Sequence, residues 1–168
     1  MDKESFQQIY GNGTKLFELA WFQKELPSES NRGQVMVVSA YLEDLVERAL
    51  RVFLPNSDAK KSLLDGAMAP ISTFAAKTSL AHCLGLLTQQ EYNNLTIVRK
   101  IRNKLAHKVH ISFETPDVAA LVANLDFALA QLDTNPITKP IEPHYRFQLA
   151  TSALLSALHD RSDRIEKQ

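Results

Sequence analysis

Val35, Val38, Leu42, Leu45, Ala49 and Val52 recur at alternating steps of three and four along a run that contains neither glycine nor proline. That spacing puts every one of them on a single stripe of an α-helix, so the segment is useful to a fold only if other elements cover the stripe. On the other face Asp44 precedes Arg48 and Glu47 precedes Arg51 by four residues, the favourable order for ion pairs along a helix. Asn31 followed by Gln34 reads as a capping-box-like start, and Pro55 as the stop. The seam fits either the core of a bundle or self-association into a homodimer.

The same periodicity returns further along the chain. Ser72 or Thr73 is a candidate cap for a helix through Phe74, Leu80 and Leu84 that ends at Gly85, after a short segment Asp58 to Leu64. Thr88 and Glu91 form a capping box ahead of a helix with an apolar stripe of Tyr92, Leu95, Val98, Ile101 and Leu105. Thr115-Pro116-Asp117 sets a cap, a first-turn proline and a first-turn acid before a predicted long helix on Val118, Leu121, Val122, Leu125, Ala128, Leu129 and Leu132. Pro136, Pro140 and Pro143 exclude a helix from Thr134 to Pro143, and a final helix on Phe147, Ala150, Leu154 and Leu158 is expected to fray from Asp160. Only Val109 to Phe113 alternates, too briefly for a sheet. The expected fold is therefore an all-α, single-domain helical bundle. Its expected parts are an N-terminal helical arm at 1–29, held by Leu16, Phe17, Ala20 and Trp21 after the Gly11-Asn12-Gly13 turn, a helical domain at 30–160, and a charged tail at 161–168.

Composition removes several classes of function. Lys plus Arg and Asp plus Glu both number 19, so no whole-molecule field draws the chain to nucleic acid or to anionic lipid. With 45% apolar residues, 168 residues bury an adequate core without a metal or a disulfide. The single cysteine, Cys83, excludes a disulfide framework and a multi-cysteine zinc site; it fits a reducing, cytoplasmic setting and reads as a small buried apolar residue. No run approaches the ~18–20 apolar residues that span a bilayer, and Asp2 and Glu4 do not suit a signal peptide. His82, His144 and His159 lack metal-ligand spacing, and Ser39, Ser72 and Ser79 lack a nucleophile elbow. No cofactor, metal or membrane association is expected, and no segment reads as a helix-turn-helix with an outward-facing recognition helix.

The charge is locally uneven. From Tyr92 to Phe113 there are five Lys or Arg, two His and no acid, around Arg102-Asn103-Lys104-Leu105-Ala106-His107. Arginine clamps phosphate in a bidentate fashion and histidine moves protons near neutral pH, the two roles that metal-free RNA cleavage requires. Arg102, Asn103 and His107 resemble the Arg-Asn-x3-His motif of the HEPN superfamily, helical proteins whose nuclease members complete the site across a dimer. In a regular helix, residues five apart point about 140° apart, so Arg102 and His107 meet only if the helix unwinds near Ala106 or if two copies face each other. Asn103 and His107 share a face with Lys100 and Lys104. A structural alternative pairs Arg102 with Glu43 or Asp44 and lets Asn103 or His107 tie down the helix end. Arg99, Lys100, Lys104, Lys108 and His110 are candidates for phosphate or nucleic-acid contact, weak and without base reading, or for plain complementarity to the helix dipole.

From Leu63 onward the order of residues resembles the mannitol operon repressor family. The resemblance rests on Leu63-Leu64-x-Gly66, Pro70-Ile71-Ser72-Thr73-Phe74, Lys77, Leu80, Leu84-Gly85-Leu86-Leu87 and Gln90-Glu91-Tyr92, then on Leu105-Ala106-His107, Arg146-Phe147 and Ala150, across roughly residues 35 to 160. It implies an all-α, cytoplasmic bacterial protein of transcriptional repression without a recognisable DNA-binding motif, and the missing helix-turn-helix points to action through protein partners or through weak nucleic-acid contacts that read no bases. A non-enzymatic regulator is the reading this favours; a metal-independent endoribonuclease using Arg102, Asn103 and His107 is the alternative.

Overall fold

The computed structural model of the chain describes residues 24, 26, 29–107, 111–129 and 141–166. Among them there are six helices and no strand: α1 (Asn31–Phe53), α2 (Asp58–Leu64), α3 (Phe74–Cys83), α4 (Gln89–His107), α5 (Pro116–Ala123) and α6 (Pro143–Glu166). The all-α expectation holds. The Leu16-to-Trp21 arm, Val109, and the prolines at 136 and 140 lie outside the described residues.

α1 is the axis of the bundle. Val35, Val38, Leu42, Leu45 and Ala49 are buried as the spacing predicts, joined by Val46 and Leu50, because α3, α4 and α6 cover it from more than one side. Val52 instead lies at the exposed end of the stripe, beside exposed Phe53. The helix starts one residue earlier than the Asn31 cap would have it: Ser30 Oγ accepts from Gly33 N at 3.1 Å. Gln34 is not a capping partner, for it is buried and holds α1 to α6, its Oε1 accepting from Gln148 Nε2 at 3.1 Å and lying 2.8 Å from His144 Nε2.

α3 is capped by Thr73, whose Oγ1 accepts from Ala76 N. It ends in a paired reversal, with Leu86 N donating to Ala81 O and Gly85 N to His82 O; the φ of +72° at Gly85 is the left-handed conformation this cap requires. Cys83, expected inside, is exposed. The buried side of α3 is Phe74, Lys77, Thr78 and Ala81, and two further residues carry Cys83 about 200° round from Ala81.

The predicted long helix after Pro116 is short. α5 stops at Ala123, and Leu125 and Leu129 are buried from a non-helical segment. The cause is Asn94 on α4, fully buried, whose Oδ1 accepts from both Asp126 N and Phe127 N while its Nδ2 donates to Asp126 Oδ1 at 2.6 Å. Those backbone groups are thereby taken from a continuing helix. Ala128 pays the conformational cost with a φ of +59°. α6 opens with Pro143 at its first position, buries Phe147, Ala150, Leu154, Leu155 and Leu158, and runs on to Glu166 past the expected break at Asp160.

Candidate partner-contact face on the fourth helix

The capping box at the start of α4 is complete: Glu91 N donates to Thr88 Oγ1 at 3.2 Å, and Glu91 Oε2 accepts from Thr88 N at 2.7 Å. Glu91 is buried because it has a second task. Arg161 on α6 grips it in a bidentate pair, at 2.7 and 2.8 Å, and also donates to Leu86 O. This arginine belongs to the segment expected to be a charged tail; nothing in its local sequence signals a partner some seventy positions away.

The inward side of α4 is Leu95, Val98, Ile101 and Leu105, all buried, whereas Tyr92 is only half-buried and stacks on His82 with ring centroids 4.7 Å apart. Because the helix stays regular through His107, Arg102 and His107 point in different directions within one chain. Arg102 is half-buried on the flank of the apolar stripe; Asn103 and His107 are exposed with Lys100 on the outward face, and Arg99 is half-buried. Lys108 and His110 lie outside the described residues.

The expected partners of Arg102 are engaged elsewhere. Glu43 Oε1 receives the buried Lys77 Nζ at 2.8 Å, and Asp44 pairs with Arg48 at 2.7 Å. Among the described residues Arg102 has no ion pair or hydrogen bond, nor do Arg99, Lys100 and His107. Lys104 is the exception in this cluster, joined to Asp117 Oδ2 in the first turn of α5 at 3.0 Å. That pair is largely exposed and worth no more than ~1 kcal/mol.

A second charged group ties α3 to α1. Lys77 Nζ also meets Glu47 Oε2 at 2.7 Å, Glu47 holds Arg51 at 2.8 Å, and Arg51 reaches Asp65 at 2.7 Å. Burial pushes the Lys77 ammonium down, but its hydrogen bonds and charge attraction to Glu43 and Glu47 outweigh that and hold it above its ordinary value. Burial likewise pushes Glu47 up, and the hydrogen bonds from Lys77 and Arg51 more than reverse it, leaving the carboxyl below its ordinary value. Lys77 is legible in the sequence only as part of the family resemblance.

The remaining candidates have packing roles. His82 Nδ1 lies 3.0 Å from Leu87 O, His144 reaches Gln34, and His159 is buried. Among the described residues no group of three or more His, Cys, Asp or Glu could hold a metal ion, and no helix is long and apolar enough to cross a membrane.

What the fold and the α4 face define together is a helical bundle that pairs its buried Lys77 and Glu91 and, among the described residues, leaves Arg99, Lys100, Arg102 and His107 of α4 without an ion pair or hydrogen bond. This architecture is similar to that of a chain in the X-ray structure of the MtlR-HPr complex from Escherichia coli, with a TM-score of 0.60 and 20% identity, over 88% of this chain and 98% of that one. No protein-family model and no curated protein matches the sequence.

Proposed function

We propose that this chain is a non-enzymatic, cytoplasmic regulator resembling the mannitol operon repressors, and that it controls transcription by binding a protein partner through the outward face of α4. The observation that carries the reading is the likeness of fold, along nearly the whole of both chains, to a protein solved in complex with HPr. Two features support it. Arg99 and Lys100 are cations, and His107 a ring donor or acceptor, without an intramolecular partner among the described residues, on a helix whose register is fixed by a fully buried stripe. Chain neutrality also gives no general pull toward DNA, so a contact made by this face depends on what is complementary to it. Calorimetric titration of the purified chain with the HPr of its own organism tests the reading: saturable binding is expected, and no heat of binding at any accessible concentration contradicts it. Gel shifts over the chain's own promoter and a mannitol promoter, at stated salt, address repression; sequence-indifferent, salt-sensitive binding argues against direct operator recognition.

A second reading is kept by one observation: Arg102, whose expected partners are engaged elsewhere, has no ion pair or hydrogen bond among the described residues. In a metal-independent endoribonuclease Arg102 would hold phosphate, His107 would carry the proton and Asn103 would orient the substrate. Since α4 is regular, the site would need two copies facing each other in a homodimer. RNA left intact by the wild-type protein in EDTA excludes this reading. Cleavage lost in both Arg102→Ala and His107→Ala supports it.

A further inference from the structure

Beside the outward face of α4, the groove it forms with the C-terminal end of α5 widens into a pocket of about 420 Å³ that shares Lys100 with the partner-contact face and is otherwise outside the roles above. Its floor is apolar, formed by the partly buried Ile97 and Leu121. Apart from Tyr92, whose hydroxyl can donate or accept, the polar groups on its walls are sorted by sign. On the α4 wall stand Lys100, which has no ion pair among the described residues, the hydroxyl of Thr96, and Asn93, whose Oδ1 already accepts from Gln89 Nε2 at 2.8 Å and whose Nδ2 is left to donate. On the opposite wall Asn124 spends its Nδ2 on Ala120 O at 2.7 Å and keeps Oδ1 as an acceptor. Next to it Asp126 gives one carboxylate oxygen to Asn94 and keeps the other. The C-terminal end of α5 adds partial negative charge on that same side.

A wall of donors with a full positive charge, facing a wall of acceptors with a full negative charge above an apolar floor, is complementary to a small zwitterion. We infer that this pocket binds a free amino acid: its carboxylate toward Lys100, Thr96 and Asn93, its ammonium toward Asp126 and Asn124, and its side chain over Ile97 and Leu121. The volume falls within the range of small-molecule sites, roughly 300–1,000 Å³. The site goes beyond the partner-binding reading, and the chain alone is enough to test it.

The experiment is a ligand-observed NMR titration of the full chain with each of the proteinogenic L-amino acids. The best binder is then compared with its deaminated acid and its decarboxylated amine. Saturable binding of an amino acid is expected, weakened at least about tenfold when either charged end is removed from the ligand. Lys100→Gln and Asp126→Asn should each weaken it by a similar factor, the second while retaining the acceptor that Asn94 needs; Lys104→Ala, outside the pocket, should leave it unchanged. The inference is overturned if no amino acid saturates, if either half-ligand binds as tightly as the whole, or if Lys100→Gln has no effect on affinity.

Discussion

The two charged regions of this molecule treat the same residue types in opposite ways. At the α1–α3 and α4–α6 contacts, Lys77 and Arg161 are each held by carboxylates at 2.7 to 2.8 Å, with Lys77 and Glu91 buried. On the outward side of α4, Arg99, Lys100 and His107 stand without partners among the described residues. A neutral chain therefore conceals a division: acids are consumed where charge must be buried, and cations remain where it need not be. Buried ion pairs owe their effect to the penalty for breaking them, whereas exposed cations are nearly neutral for stability and are available for recognition.

This division predicts that the largest loss comes from the α4–α6 contact. Glu91→Ala leaves Arg161 without its bidentate partner and removes half of the capping box; a loss of about 3–5 kcal/mol in urea unfolding is expected. A loss below ~1 kcal/mol would place this pair with the surface bridges instead. Lys77→Met should cost less, about 1–3 kcal/mol, because Glu47 keeps Arg51 as a partner and no helix cap is lost. The same variant should flatten the pH dependence. Glu47 is depressed in the folded state, so its contribution is present above the ordinary glutamate range and is lost as pH falls through the lower folded value. Lys77 is raised, so its contribution is present below the ordinary lysine value and is lost only as pH climbs through the higher folded one. Urea midpoints followed across the acid range in wild type and variant check the sign.

Smaller effects sharpen the boundary between the regions. Ala128→Gly, in the segment clamped under α4 by Asn94, should stabilise the fold by up to about 1 kcal/mol in thermal unfolding, since glycine accepts a positive φ without the Cβ clash. The triple change Arg99→Ala, Lys100→Ala, His107→Ala should move stability by no more than about 0.5 kcal/mol. A large loss there would mean the outward face is structural after all.

How much of this could be read from the chain follows the range of each interaction. The α1 stripe, the Thr88–Glu91 box and the Gly85 cap are set by residues within a turn or two of one another, and all three were legible. The Asn31–Gln34 start was misread because Gln34 answers to His144 and Gln148, more than a hundred positions on. The helix predicted through Leu132 illustrates the same limit: Leu125 and Leu129 are buried at helical spacing, yet Asn94, thirty-two residues earlier, takes the backbone of Asp126. Periodicity records which residues are buried, not which hydrogen bonds put them there. At the candidate face, the charge run was visible and the outward placement of Lys100, Asn103 and His107 followed from the register. The assignment of Glu43 to Lys77, which takes an expected partner from Arg102, could not be seen without the fold.

The central claim is that the free cations of α4 are a contact surface for a protein partner. Titration of HPr into the wild-type chain and into the Arg99→Ala, Lys100→Ala, His107→Ala variant, both shown to be folded, tests it most directly. The account predicts saturable binding to the wild type and an affinity at least about tenfold weaker in the variant. Equal affinity for both proteins, or no binding to either, would contradict it.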